Sequence, residues 1–133
     1  MVDGAIPIHW RRFDERYRLN GSHCTNCDTY YFPKRAICPK CRRKGKMEDS
    51  EMPRTGRIES WTEVFVGPTG FENETPYFLA IIELENKAKI LSQIVDSPRD
   101  KIKIGSKVKK VFRKIADEHA EGVISYGYKF KVE

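Results

Sequence analysis

Four cysteines, Cys24, Cys27, Cys38 and Cys41, form two C-x2-C pairs ten residues apart, and the chain has no other cysteine. Three chemistries use thiols this close together: redox exchange, a disulfide staple and a metal cage. A thioredoxin-like C-x2-C needs a strand before it and a helix after it in a βαβ setting, and that pattern is missing. Disulfides suit an oxidising compartment, whereas the N-terminus does not read as a signal peptide: its apolar patch is short and is followed by arginines, not preceded by them. The expected compartment is therefore the cytoplasm. Each C-x2-C can fold as a knuckle that aims two sulfurs at one point, and two knuckles make a tetrahedral site for Zn²⁺. Iron in a rubredoxin-type site would use the same geometry and is the alternative. A catalytic zinc normally keeps one coordination position open, so four cysteines predict a closed, structural site. His23, next to Cys24, could replace one ligand but is not needed, and reads as a surface residue or a neighbour of the ligands.

The elements around the cysteines must position them. Between the pairs, TYYFPKRA provides a short strand, a turn at Pro33 and a return. Lys34, Arg35, Lys40, Arg42 and Arg43 would offset the −2 charge of a zinc tetrathiolate. A lobe this small cannot bury enough core to fold alone, so the metal supplies the missing folding free energy. The aromatic and basic YYFPKR is expected as an exposed loop carried on the rigid knuckle. Ahead of the lobe, residues 8–20 read as a helix with Trp10, Phe13 and Tyr17 on one face and Gly21 as its C-terminal cap. Arg11, Arg12 and Arg16 lie off that stripe. They are either a solvated face or the holders of an anionic ligand or acidic partner. Residues 48–56 read as a linker.

Beyond the linker the period changes to two. RIESWTEVFV places Ile58, Ser60, Thr62, Val64 and Val66 on one face, with Arg57, Glu59, Trp61, Glu63 and Phe65 on the other. GPTGFENETP follows as a loop. YFLAIIELE and AKILSQIV form a hairpin turning at Asn86-Lys87, KVKKVFRKI is a basic strand, and GVISYGYKFKV closes the chain. In the last segment Ile124, Tyr126, Tyr128, Phe130 and Val132 are expected inside, Lys129 and Lys131 outside, and Gly127 at a bulge or bend. Five strands in this length, with no long helix between them, predict a mainly β protein. It has an N-terminal helical segment (1–21), a zinc ribbon (22–50) and a five-stranded OB-fold Greek-key barrel (51–133). A five-stranded sandwich or SH3-like barrel has the same strand count.

No catalytic set accompanies this architecture. GxSxG, Walker and GxGxxG motifs are missing, and no cysteine is left over as a nucleophile. His119 falls in an acidic connection. Glu59 and Glu63 share a predicted face but read as solvated rather than as an acid/base pair. No apolar run is long enough to span a membrane. The net charge is +6, with the excess concentrated in residues 1–50, which is too little to assert nucleic-acid binding.

In order along the chain stand a basic helix, C-x2-C with YYFP and CPKC, then TGRIESWTEV, PYFLAIIEL and KIGSKVK. This order resembles the small zinc-ribbon/OB-fold proteins of a domain-of-unknown-function family, found mostly in archaea and bacteria beside thiolases and hydroxymethylglutaryl-CoA synthases. The resemblance spans about residues 10–132. It implies a non-catalytic accessory subunit that bridges or supports an acyl-CoA enzyme and helps to bind acyl-CoA, and it carries the four cysteines over as zinc ligands. On physical grounds Arg11, Arg12, Arg16, Lys34 and Arg35 suit coenzyme A phosphates, while Tyr30, Phe32, Trp61 and Phe65 suit its apolar arm or a partner. Ordinary packing between helix, ribbon and barrel is the competing reading of each aromatic. The alternative function is nucleic-acid binding, which ribbons and OB barrels also serve; Glu59 and Glu63, interleaved with Trp61 and Phe65, argue against it.

Overall fold

The computed structural model describes residues 6–68, 75–117 and 124–133 of the chain. The expected loop at 67–76 and His119 fall largely or wholly outside these. Helix α1 (Ile6–Arg18) is followed by strands β1 (Asn20–Cys24), β2 (Thr29–Tyr31) and β3 (Met47–Glu51), which form one sheet in the order β2-β1-β3. Strands β4 (Thr55–Val64), β5 (Tyr77–Leu84), β6 (Lys89–Ile94), β7 (Lys107–Asp117) and β8 (Ile124–Val132) close a barrel in the order β4-β5-β6-β8-β7. All barrel pairs are antiparallel except β6–β8. This is the five-stranded Greek-key order of an OB barrel, as the strand count predicts. The predicted linker is shorter than expected: Met47–Glu51 pairs with the whole of β1 and completes the ribbon sheet.

The barrel core comprises Ile58, Ala80, Ile82, Leu84, Ala88, Ile90, Ile94, Val108 and Phe130, with Ile102 added by a single 3-10 turn at Arg99–Lys101. Two further members come from outside the barrel: Leu19 and Met52, where the chain enters and leaves the ribbon, are fully buried against it. The N–H of Met52 donates to the carbonyl of Leu19 at 2.9 Å.

The helix ends earlier than the pattern suggests. Leu19 takes the left-handed conformation (φ 53°) that a cap requires, because its buried side chain holds it there. Gly21 serves strand packing instead: a Cβ at this position would lie 2.4 Å from the carbonyl oxygen of Tyr31 across the β1–β2 pair.

A register shift between Ile58 and Ser60 corrects the face assignment of the first barrel strand. One extra residue reverses the alternation. Trp61 therefore joins Ile58 on the core side and packs against Phe78 (ring centroids 6.0 Å), while Ser60 and Thr62 face out. The two carboxylates no longer share a face or a partner. Glu59 pairs with Lys89 at 2.9 Å, and Glu63 lies mostly buried, with Arg99 at 3.4 Å. That guanidinium contributes charge without hydrogen-bond geometry, so Glu63 Oε2 stays unpartnered within the described residues.

The hairpin between β5 and β6 turns through four residues, not two, with Lys87 left-handed (φ 68°). In β8, Tyr128, Phe130 and Val132 pack on the core as expected. Tyr126 is 38% exposed and Lys129 is buried, opposite to the simple alternation. The side chain of Ile124 lies outside the described residues. The strand irregularity falls on β7, between Lys114 and Ala116, not at Gly127.

Candidate metal centre

Cys24 ends β1, Cys27 sits in the turn into β2, and Cys38 and Cys41 bracket the second knuckle. The four sulfurs lie within 4.8 Å of one another, with Cys27 and Cys38 at 3.5 Å. A tetrahedral tetrathiolate with bonds of about 2.3 Å has sulfur–sulfur edges of roughly 3.8 Å, so the cluster fits a Zn²⁺-sized ion. Among the described residues this is the only such group of metal-ligating side chains.

The two knuckles share a backbone device. The residue after the second cysteine of each pair is left-handed: Asp28 (φ 55°) and Arg42 (φ 51°). In the second knuckle this bend lets the Arg42 N–H reach the Cys38 carbonyl at 2.8 Å, and the Cys41 N–H faces Cys38 Sγ at 3.5 Å. Gly45 is required next to it, since a Cβ there would meet Cys38 Cβ at 2.8 Å.

Polar groups converge on the sulfurs. Asn26 Nδ2 donates to Cys41 Sγ at 3.2 Å, joining the first knuckle to the second. The Tyr31 hydroxyl lies 3.6 Å from Cys38 Sγ, and Thr29 Oγ1 lies 3.4 Å from Cys27 Sγ. Burial pushes the Cys38 thiol up, but the Cys41 N–H, the Tyr31 hydroxyl and the Lys40 N–H outweigh it and bring the thiol down to about 6. Cys41 goes the other way. Asn26 pulls it down, yet the crowding of Cys27, burial and the other two sulfurs push it up to about 11. Tyr31, donating a hydrogen bond to the Cys38 sulfur, is raised to about 12. Cys24 is also held below its ordinary value, first by the Cys27 N–H, so without a cation Cys24 and Cys38 ionise most readily and Cys41 resists. Four thiolates together need a divalent ion between them.

The remaining predicted site residues do not meet at one place. His23 is neither a ligand nor free: its Nε2 lies 2.6 Å from Asp28 Oδ1 and its ring stacks on Tyr30 at 4.2 Å. Tyr30 and Phe32 turn inward onto the core, Phe32 against Tyr128 at 5.6 Å. Lys34 reaches Asp49 at 3.4 Å, and Arg35 lies over the Tyr31 ring. YYFPKR is therefore the seam between ribbon and barrel more than an exposed loop. Arg11 is exposed and Arg16 half-buried on α1; the side chain of Arg12 lies outside the described residues. Trp61 is in the barrel wall, and Phe65 projects beyond the end of β4. A groove of about 710 Å³ at one barrel end, lined by Arg57, Glu83, Ile104 and Lys107 among others, contains none of these candidates.

Sequence reasoning missed Asn26, Tyr31 and Gly45 as parts of the centre. The available signals were an amide inside the first C-x2-C and a glycine four residues after the last cysteine.

A four-cysteine ribbon placed before a five-stranded Greek-key barrel defines a zinc-ribbon/OB-fold protein. Family models agree on both halves: the rubredoxin-like zinc ribbon domain of ChsH2 matches residues 14–48, and the C-terminal OB-fold domain of ChsH2 matches residues 49–113. A DUF35 domain-containing scaffold protein of Methanocaldococcus jannaschii is 49% identical over 97% of this chain and 92% of its own length. A scaffold protein of the same description from Methanothermobacter thermautotrophicus is 48% identical over 92% of each chain. Among solved structures, the Ltp2-ChsH2(DUF35) aldolase has the same fold, with a TM-score of 0.69, 24% identity, and coverage of 95% of this chain and 92% of that one. The chain belongs to the DUF35 scaffold-protein family.

Proposed function

We propose that this chain is a non-catalytic, cytoplasmic accessory subunit of an acyl-CoA enzyme complex of the thiolase or hydroxymethylglutaryl-CoA synthase type, with structural zinc in its ribbon. The observation that carries the reading is near-50% identity, over almost the full length, to proteins described as scaffolds. The site chemistry supports it. Four sulfurs converge on one point and leave no open position for substrate, and no second metal-ligating cluster stands beside them among the described residues. A solved relative in fold is an aldolase assembled with a DUF35 chain, which favours an enzyme as the partner class. For acyl-CoA, the arginines of α1 are the group best placed to meet phosphates, since Lys34 and Arg35 are engaged within the ribbon. Nucleic-acid binding is the weaker reading, because Trp61 packs inward and cannot offer a free ring face to a base.

The test is co-purification of the tagged full chain with metal analysis of the product. Recovery of a thiolase-type enzyme, one zinc per chain and no turnover by the isolated chain are expected. Recovery of nucleic acid in place of an acyl-CoA enzyme would sink the proposal. Titration of the Trp10 and Trp61 fluorescence with CoA esters checks the ligand part separately.

A further inference from the structure

Two elements that meet through Tyr17 and Phe112, α1 and β7, are rich in cations by sequence, and exposed aromatic side chains run along both. Helix α1 carries four arginines against two acids, and β7 carries five cations against one acid. By formal charge α1 is +2 and β7 is +4; the ribbon, residues 19–50, is a second basic region at +4, and the remaining residues are net acidic. The aromatic residues follow the same two elements. Phe13 stacks on Tyr17 (4.7 Å), Tyr17 meets Phe112 edge-on (4.9 Å), and Phe112 stacks on Tyr126 of β8 (5.6 Å). Trp10, one turn earlier on the helix, is 75% exposed, and Phe112 is 47% exposed. The topology makes this strip prominent. β7 pairs with β4 only over Lys107–Lys109, and β8 pairs with β6 only at Phe130. Past those points the hairpin runs on beyond the barrel wall with α1 against it.

Resting on the accessory-subunit reading above, we infer that the α1/β7–β8 strip is the surface that docks the partner enzyme, and that the enzyme presents an apolar patch rimmed by carboxylates. A large exposed apolar patch with a charged border marks an interaction site, and Trp, Tyr and Arg are the usual anchors. The ring arrangement selects protein over nucleic acid. Bases bind by stacking on free ring faces, and here four rings already cover one another. Two of the cations are also engaged: Lys110 Nζ donates to the Tyr17 carbonyl, and Arg113 holds Asp96 at 2.8 Å. These contacts brace the strip, while exposed Arg11 and Arg18 of α1 and exposed Lys114, on the Phe112 side of β7 opposite Tyr126, form its charged border. A second exposed apolar group, Ile81 and Leu91 on the outside of β5 and β6, lies on strands that carry one acid and one cation, Glu83 and Lys89.

The experiment is calorimetric titration of the zinc-loaded full chain against a purified thiolase-type enzyme co-expressed with it, at low and physiological salt. Trp10→Ala removes an exposed side chain, so the fold stays intact and melting is unchanged. It should weaken binding by at least about tenfold. Arg18→Glu combined with Lys114→Glu should weaken binding at low salt and flatten its salt dependence. Ile81→Ala and Leu91→Ala should leave affinity within about twofold. If the strip variants bind like the parent while the Ile81 and Leu91 variants fail, the surface is wrong and the accessory-subunit reading stands. If the parent chain does not bind the enzyme at either salt, that reading falls and takes this inference with it. Single-stranded DNA retained by the parent chain and released by Trp10→Ala would assign the strip to nucleic acid and overturn the inference.

Discussion

The ribbon and the barrel are held together by different physics. Between Asn20 and Glu51 the only described apolar side chains that are fully buried are Cys24 and Cys38. The barrel buries ten, from Ile58 to Phe130, in one cluster. The ribbon sheet is hydrogen-bonded but has no core of its own, so its integrity is conditional on an ion and on four deprotonated thiols. The barrel depends on apolar area removed from water, which neither a chelator nor a moderate change of pH reverses. The YYFPKR seam and the Leu19–Met52 pair couple the two, since they belong to the ribbon's chain but sit on the barrel's core.

The most severe way to separate the halves is to remove the metal. Structural zinc contributes on the order of 10 kcal/mol in small metal lobes. Chelation, or Cys38→Ser, should therefore erase amide protection in β1–β3 while β5 and β6 keep theirs, as read by hydrogen exchange. Equal loss in both would break the comparison. The mirror experiment is Phe130→Ala. Emptying a fully buried position should cost about 3–5 kcal/mol and lower the barrel's thermal midpoint, with zinc stoichiometry retained. A finer pair uses close approaches. Gly21→Ala would press a methyl group on the Tyr31 carbonyl, and Gly56→Ala would press one on the Glu83 carbonyl at 2.6 Å. Each should cost about 1–3 kcal/mol, the first read in the ribbon and the second in the barrel. Smaller still, and of opposite sign, are Arg42→Gly and Lys87→Gly. Both relieve a left-handed residue, one per region, and should stabilise by a few tenths to about 1 kcal/mol.

The smallest expected effect is on acid stability. The Arg113 guanidinium beside Asp96 holds that carboxyl below its ordinary value. The stabilisation is thus complete above the unfolded-state carboxylate pKa and is lost as pH falls through the lower folded-state value. Asp96→Asn should flatten the barrel's acid limb slightly and leave metal retention on acidification unchanged. A steeper acid limb in the variant would overturn the assignment.

Much of this architecture was legible from spacing and periodicity. The cysteine pairs named the metal-binding group, and the period-two segments located every barrel strand to within a few residues. The failures share one cause: information carried by a partner segment. A single bulged residue in β4 reverses Trp61 and Glu63, and nothing local in RIESWTEV announces it. Gly21 looks like a cap until β2 is laid against β1. Tyr30 and Phe32 look available until the barrel closes over them. Lys129 looks solvated by alternation, yet it is 7% exposed. Periodicity reports one strand's two faces, whereas burial is decided by which elements cover each face.

One small contact carries a larger meaning. The single hydrogen bond between Leu19 and Met52 means that more than thirty residues of intervening chain begin and end at the same point on the barrel. Loops with adjacent ends cost little extra to lengthen, shorten or exchange. The ribbon is thus topologically a cassette, grafted between a helix and a barrel that already touch through Tyr17 and Phe112. Excising residues 20–51 and joining the ends with a short turn should yield a helix–barrel miniature. Conversely, other metal lobes could be spliced into the same gap without redrawing the barrel that carries them.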